Sequence, residues 1–567
     1  MNFKEELINL LSKTVKLDVP QMTQLLSIPP DPKLGDFAFP CFVLSKQWKM
    51  APAAAAEKLN SELNLPKWIN ETKIVGPYLN FFIDNSVLAK ETLTAVQKEK
   101  EKFGFGKGKK ETIMIEFFHA NTHKGVHIGH LRNISIGSAL ANILESAGYK
   151  TIRVNYQGDI GPHVAKCIWG YKKFAKELKE PTDDKGIWLG KLYSKVSIAN
   201  KGDKSAEEEI RELTLKLYEH SDKEIEKLWK KTRQWCLEDF EVFYTDFGVK
   251  FDRLYFESEA ELPGKKVFDE LLAKKIAKES DGAIIVDLEK YKLNVYVGLT
   301  GKGYPTYQAK EMGLAKLKQK EFKFDKSLHV VGSEQELFFK QVFKTYELMK
   351  SPMAKKSTHI SYGLVNLPEG KMSSRLGTMV LYADLFAKMM GRVRPEVQER
   401  HPKLSKKEVE KRTKMIAFAA LKFSMQIKEN NRRMTFDWER ALDLQGDTGP
   451  YIQYAHARAC SILRKAKWKK SVKVNFDLLG SDSEKKVLLL LSKYPEFVKE
   501  SAEKYKPYLI AQYVLELAQL FSEFYVNNKV MVDDKELMNA RLLLVDSVRQ
   551  VLANGLSLLG ISAPEEM

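Results

Sequence analysis

The chain has 567 residues and 44% hydrophobic composition, enough for several packed cores, which excludes a protein dominated by disorder. Its 92 Lys+Arg against 74 Asp+Glu leave a formal net charge of +18 and a pI near 9.2, so a polyanion would be drawn to its surface in a salt-dependent way. Cysteines 41, 167, 236 and 460 are too scattered for a CxxC site, no apolar run reaches the roughly 18 residues of a membrane span, and Met1-Asn2-Phe3-Lys4-Glu5-Glu6 does not open a secretory signal; a cytoplasmic protein with no membrane partner is expected.

The first module reads as α+β. A helical stretch ends before Pro20, residues 75–84 resemble a strand, and the charged, glycine-rich run 98–110 reads as a linker.

Residues 112–118 are then β-rich. From Ile128 the apolar positions Leu131, Ile134, Ala139, Ile143 and Leu144 recur at helical spacing until Gly148 can cap the helix, and 151–156 reads as a second strand. This βαβ unit encloses Glu116-Phe117-Phe118-His119-Ala120-Asn121-Thr122-His123-Lys124-Gly125-Val126-His127-Ile128-Gly129-His130. If the helix begins near His127, its free N–H groups and positive dipole end favour an anion. His127 and His130 can share one face and donate to phosphate oxygens, while Gly129 lets a flat ring approach the backbone. Two other readings stand beside this nucleotide cradle. The four histidines could hold a metal on a continuous helix, which Gly125 and the β-rich run disfavour, or they could be purely structural.

Residues 172–262 are charged and helical, with an amphipathic pattern over 203–231, and read as an insertion between two halves of a sheet. The return is marked by the β-like runs 283–288 and 328–331, the latter delivering Gln335. In Tyr304-Pro305-Thr306-Tyr307-Gln308-Ala309-Lys310-Glu311, Tyr307 and Glu311 share a face if a helix opens there. Further on, Gly370-Lys371-Met372-Ser373-Ser374-Arg375-Leu376-Gly377 forms a polar loop between the β-like runs 362–367 and 378–382. Alone it reads as a solvated turn. Paired with the histidine cradle, its cation–hydroxyl–cation set suits a developing pyrophosphate charge. After Leu385 strand signals almost vanish, and 488–491 with 509–524 supply apolar stripes for a helical bundle. The basic run 464–470 is either an RNA stripe or a solvated linker, and Tyr451, Tyr454 and Tyr525 are either base-stacking or core residues.

His127-Ile128-Gly129-His130 and Lys371-Met372-Ser373-Ser374-Arg375 resemble the HIGH and KMSKS signatures of class I aminoacyl-tRNA synthetases, and the flanking text resembles the arginyl family. The likeness runs nearly end to end. It includes Gly35-Asp36-Phe37-Ala38, Gly76-Pro77-Tyr78-Leu79-Asn80-Phe81, Val154-Asn155 with Gly158-Asp159, Val331-Gly332 with Gln335, and the block from Gly446-Asp447-Thr448-Gly449-Pro450-Tyr451 to Arg458.

The resemblance implies ATP and Mg²⁺ as cofactors, L-arginine and tRNA(Arg) as partners, and ligation through an arginyl-adenylate. It implies phosphate contacts from Lys124, His127, His130, Lys371 and Ser373, with Gly129, Met372, Ser374 and Arg375 completing the ATP site. A planar cation with five N–H donors needs carboxylates around it. The family positions matching that need are Glu116, Asn121, Tyr307, Glu311 and Gln335. The acid is commonly aspartate, so Glu311 is one methylene longer. The second lysine of the class I loop is replaced by Ser374, and Lys124, three residues before His127, resembles the relocated cation of many arginyl enzymes.

For the tRNA, the resemblance implies Asn80 in an N-terminal D-loop module and an anticodon-binding bundle that holds the block with Tyr451, Tyr454 and Arg458 and also Met567, with Tyr525 a further candidate there from its residue type. The expected fold is multidomain, α/β plus all-α. It comprises an N-terminal α+β module (1–105), a Rossmann-like parallel-sheet catalytic core (106–385, insertion about 172–280), a helical connecting region (386–445) and a C-terminal helical bundle (446–567), in a monomer. Another class I synthetase would keep both signatures and change Glu116, Tyr307 and Glu311. A small nucleotidyltransferase would not need so large a helical domain, and a non-catalytic RNA-binding paralogue would lose the cradle.

Overall fold

The computed structural model describes residues 2–29, 31–200, 202–366, 368, 380–469 and 473–567. Helix α1 (Phe3–Leu11) starts where the Asn2 side chain accepts the Glu5 N–H. Helix α2 (Val19–Leu25) starts at a reciprocal capping box between Asp18 and Gln21, with Pro20 in its first turn. The first helix thus ends before Pro20, as expected, and Pro20 opens a second one. Strand β1 (Phe37–Pro40), helices α3 (Phe42–Trp48) and α4 (Pro52–Glu62), and strands β2 (Ile69–Val75) and β3 (Tyr78–Ile83) follow, with the strands in an antiparallel sheet of order β1-β3-β2. The expected 75–84 strand is β3, set off from β2 by the turn at Gly76 and Pro77. Helix α5 (Asn85–Glu99), capped by Asp84, continues through Lys98, so the linker begins later than its composition suggests.

Strand β4 (Thr112–Glu116), helix α6 (Ile128–Ser146) and strand β5 (Lys150–Gln157) form the expected βαβ unit, β4 and β5 pairing in parallel. Four helices then leave the sheet: α7 (Pro162–Leu178), α8 (Lys185–Ala199), α9 (Lys204–Glu219) and α10 (Lys223–Phe247), the last two capped by Asp203 and Asp222. The chain rejoins the sheet at β6 (Arg253–Phe256), which pairs with β5. This corrects the reading that 283–288 marks the return. After α11 (Glu257–Ala273), that apolar run is β8 (Ala283–Asp287), in a separate antiparallel sheet with β7 (Ala277–Ser280) and β9 (Val295–Leu299). A four-residue strand embedded in charged helical text has too few positions to show a period, whereas the apolar run of β8 suits either sheet.

Helix α12 (Tyr307–Glu321) leads into β10 (Lys326–Gly332). Helices α13 (Glu336–Leu348) and α14 (Met353–Lys356), strand β11 (Ser357–Tyr362) and the short β12 (Val365–Asn366) follow. The large sheet is wholly parallel, in the order β11-β10-β4-β5-β6. Strand order reverses beside β4, and in such sheets ligands sit past the carboxyl ends at that point. The core of β4 is buried on both faces, Ile113 and Ile115 in one apolar cluster and Met114 in another, as in sheets covered on both sides.

Beyond the core lie α15 (Tyr382–Arg400), α16 (Lys406–Gln426), β13 (Met434–Thr435), α17 (Trp438–Ala441), α18 (Gly449–Lys465), α19 (Asp482–Lys504), α20 (Tyr508–Asn527) and α21 (Lys535–Leu558). Tyr382 opens a helix, correcting the strand expected at 378–382, of which 378 and 379 lie outside the described residues. One apolar cluster runs from Phe3 to Ile561, through the first module, α6 and the bundle; a second lies beneath α11 and α12, and a third inside the α7–α10 insertion. The two ends of the chain also meet through polar groups: Gln97 Nε2 donates to Asp546 at 3.1 Å, Asn554 to the Lys100 carbonyl at 2.9 Å, and Lys485 pairs with Asp36 at 3.2 Å. No described helix is long and apolar enough to cross a membrane.

Candidate active site

The loop from β4 to α6 is held in a conformation that open chain would avoid. Phe118 and His123 have φ of +60° and +62°, left-handed values costly for bulky side chains. The surroundings enforce both. The Phe118 amide donates to the Asn133 side chain of α6, its carbonyl accepts from Asn155 of β5, and its ring stacks on Phe243 at 4.8 Å. The buried His123 ring lies between the Thr122 and Thr232 hydroxyls at 2.9 and 2.7 Å, and its amide donates to Cys236 Sγ. Three elements thus shape one loop.

Helix α6 begins as the sequence suggests, with His127 as its N-cap. Nδ1 of His127 accepts the Gly129 N–H at 3.1 Å, and Nδ1 of His130 accepts the His127 N–H at 3.1 Å, so both rings spend that nitrogen on the backbone. Burial, then the Lys124 charge, lowers His127 to about 4, and burial with His127 and Lys124 takes His130 well below its usual value. A neutral imidazole whose Nδ1 accepts must carry its proton on Nε2, so each ring presents an N–H donor away from the helix. The rings are 3.9 Å apart between centroids. A Cβ on Gly129 would fall 3.0 Å from His127 Cε1, so glycine lets the first ring sit in its capping position.

Lys124 stands beside this pair. Burial lowers its pKa, Glu257 opposes that and Lys166 adds to it, while its ammonium lies 5.5 Å from the Tyr193 ring of α8. The basic loop residues Lys371, Met372, Ser373, Ser374 and Arg375 lie outside the described residues. The described chain on either side of them is tied to the cradle. Tyr382 N donates to the Val126 carbonyl at 2.8 Å, Leu381 bridges to His127, and Asn133 Nδ2 donates to the Tyr362 hydroxyl at 3.1 Å. Buried Arg132 donates to the carbonyls of Gly363 at 2.6 Å, Arg432 at 2.9 Å and Asn430 at 3.0 Å.

The acids converge one strand away. Glu116, 1% exposed, ends β4 directly across from His329 of β10, and Glu311 approaches from α12. His329 Nδ1 lies 3.5 Å from Glu116 Oε1 and 3.6 Å from Glu311 Oε1, and Lys318 contacts Glu116 Oε2. His119 stands 3.9 Å from Glu116. Burial alone would raise Glu116, but Lys318 and His329 reverse this and hold it low; burial and the neighbouring Glu116 charge push Glu311 up to about 8. Glu116, Glu311 and His329 place ligand-type atoms within 4.8 Å of one another, yet the Lys318 ammonium already supplies the positive charge there. Tyr307, 65% exposed, opens α12 one turn before Glu311. Asn121 fills the space beside Gly158, and Gln335 is exposed in a short 3₁₀ turn past the end of β10.

The sequence reading does not single out Lys318, His329, Arg132 or Asn133. Lys318 lies two helical turns beyond Glu311 on the same face, a spacing that could have found it. His329 depends on strand register, which one sequence does not display.

A second group gathers at the far end. Tyr454, Arg458, Tyr525 and Met567 line one cleft of about 900 Å³, with the Arg458 guanidinium 4.7 Å from the Tyr454 ring and 5.3 Å from that of Tyr525. Tyr451 stands apart, its hydroxyl donating to Ser522 at 3.1 Å. Asn80 is buried in β3.

Three family models match successive stretches: the N-terminal domain of arginyl tRNA synthetase over residues 1–83, the catalytic domain of class I tRNA synthetases (R) over 92–438, and the DALR anticodon binding domain over 452–567. The chain is 35% identical over 569 residues to an arginine–tRNA ligase of Clostridioides difficile and 34% identical over 569 residues to one of Halothermothrix orenii, each covering 100% of both chains. Among solved structures it superposes on Thermus thermophilus arginyl-tRNA synthetase with TM-score 0.82 and 26% identity over 100% of both chains. The Plasmodium falciparum arginyl-tRNA synthetase structure shares the fold, with TM-score 0.78 at 19% identity over 100% of this chain and 99% of that one.

Proposed function

The chain belongs to the arginyl-tRNA synthetase family, and from that premise we propose how its residues divide the ATP-dependent ligation of L-arginine to tRNA(Arg). An oxygen of the arginine carboxylate bonds to the α-phosphorus of ATP as the bond to the bridging oxygen breaks, and pyrophosphate leaves with that electron pair. A terminal ribose hydroxyl oxygen of tRNA then bonds to the acyl carbon of arginyl-adenylate as the carbon–oxygen bond to the phosphate breaks; AMP leaves with that electron pair, and the hydroxyl proton passes to the departing phosphate or to water. Neither step needs a protein nucleophile, so catalysis rests on positioning and charge.

In our reading the Nε2–H groups of His127 and His130 and the Lys124 ammonium grip the phosphates from one side, against the open end of α6. Lys371 and Ser373 act from the other, with Gly129, Met372, Ser374 and Arg375 around the nucleotide. Mg²⁺ enters with ATP as part of the substrate: it prefers oxygen ligands, whereas Lys124, His127 and His130 offer nitrogen groups suited to phosphate. Glu116 and Glu311 face the guanidinium, and Tyr307, Asn121 and Gln335 orient the amino acid. The observation that carries this reading is that one β4–α6 unit serves both halves of the site, β4 ending in Glu116 and the constrained loop 117–126 delivering the His127 cap.

For the tRNA, we assign residues 1–105 to the D-loop corner, where the buried Asn80 would support the contacting surface from β3, and residues 446–567 to the anticodon loop through Tyr451, Tyr454, Arg458, Tyr525 and Met567. The core at 106–385 and the connector at 386–445 lie between them, in a monomeric cytoplasmic enzyme. Amino-acid-dependent ATP–pyrophosphate exchange, run with and without tRNA, tests the pocket. Arginine alone is expected to support it, and exchange with lysine or glutamine but not arginine rejects the assignment.

A further inference from the structure

Two carboxylates and one ammonium meet at the end of β4 in a space almost closed to water. Glu116 is 1% exposed and Lys318 0%. The titratable groups facing Glu311 come from the surrounding elements: Glu116 on β4, Tyr156 on β5, Lys318 on its own helix, His329 on β10 and Tyr346 on α13, with His119 behind Glu116. Burial holds the histidines neutral and the tyrosines protonated. Among the described residues in this group Lys318 is thus the one cation, and it lies against Glu116 rather than Glu311. Two buried acids sharing one counter-charge do not both ionise.

Resting on the arginine pocket proposed above, we propose that Lys318 sets the pocket's charge: it neutralises Glu116, leaves Glu311 protonated in the ligand-free protein, and makes guanidinium entry displace that proton to solvent. The balance is simple. The Glu311 O–H bond breaks, the proton passes to water or buffer, and the substrate cation replaces it as partner of the carboxylate. Two features support this. The Lys318 ammonium contacts Glu116 Oε2, whereas the nearest basic group to the buried Glu311 Oε1 is the neutral His329 ring, its Nδ1 3.6 Å away. The Glu311 pKa, raised to about 8, also keeps it protonated at neutral pH. Lys318 is thereby a positioning residue that decides how much negative charge the substrate meets.

Calorimetric titration of the full-length protein with L-arginine at pH 7, in buffers of different protonation heat, counts the protons. About one proton released per arginine is expected, with the number falling as pH rises past the Glu311 titration. Glu311→Gln should bind at least tenfold more weakly and release none. Lys318→Met should also lose most of the release, because the remaining pair would share one proton and already carry one negative charge; a merely structural lysine would weaken binding and leave the count unchanged. Arginine binding with no release in the wild type overturns the proposal, as does full release in Lys318→Met. Should that variant not fold, the wild-type pH series and Glu311→Gln still decide. Failure of the wild type to bind arginine counts instead against the pocket assignment.

Discussion

Gly190 of the insertion meets Gly125 backbone to backbone: a Cβ on Gly190 would stand 2.7 Å from the Gly125 nitrogen and 2.8 Å from its Cα. Helix α8 therefore presses on the turn that presents Lys124, and also supplies the Tyr193 ring beside that lysine. Gly190→Ala should favour the helix by about 1 kcal/mol and still cut exchange turnover tenfold or more. Unchanged turnover would show that the turn can give way without loss.

Lys124 carries the charge that Ser374 lacks in the proposed phosphate grip. Lys124→Ala is expected to lower turnover roughly a hundredfold, as for loss of one preorganised donor, while arginine affinity measured by direct titration stays near wild type. Equal losses in both would assign the lysine to ground-state binding instead.

Arg132 satisfies main-chain carbonyls from two distant segments while itself fully buried. Arg132→Met takes the donor away from the Gly363 and Arg432 carbonyls, while the Asn430 carbonyl keeps the Gly363 N–H, and should cost about 3 kcal/mol. A thermal midpoint within a degree of wild type would refute that.

Acid should weaken the fold at the cradle. Burial, and then Lys124, keep the folded His127 neutral down to about 4, while an unfolded histidine takes a proton near 6.5. Between those values the unfolded chain holds more protons, so stability rises with pH and is lost as pH falls through the window. His127→Gln lacks this titration, and its thermal midpoint should decline less steeply from pH 6.5 to 4. Parallel declines would contradict the assignment.

Arg458, its guanidinium 4.7 Å from the Tyr454 ring and 5.3 Å from the Tyr525 ring, belongs to the anticodon surface proposed above. Arg458→Ala should weaken tRNA binding and reduce the slope of log affinity against log salt by about 1. A slope equal to wild type would place this arginine outside the interface.

What was legible in the sequence is what sequence neighbours determine. The β4–α6 junction, the His127 cap and the opening of α12 at Tyr307 are set within a few residues by β-rich text, helical spacing and glycine placement. Distant partnerships were not legible. Lys318 against Glu116, His329 across from it and Arg132 beneath Gly363 depend on strand register and packing between far segments. The same limit misplaced the return to the sheet, because β6 is too short to show a period and β8 is apolar enough to mimic it. Charge composition favoured a polyanion but could not say which groups meet it.

Helix α5 packs against α19 and α21, and Phe103 just beyond it stacks on Tyr494 at 5.9 Å between centroids. A ribosome finishes α5 long before it makes those later helices. The nascent first module must therefore emerge with one apolar flank unclothed and keep it so until translation is nearly over, which makes the carboxyl-terminal bundle the closing clasp of assembly as well as a separate segment of the chain.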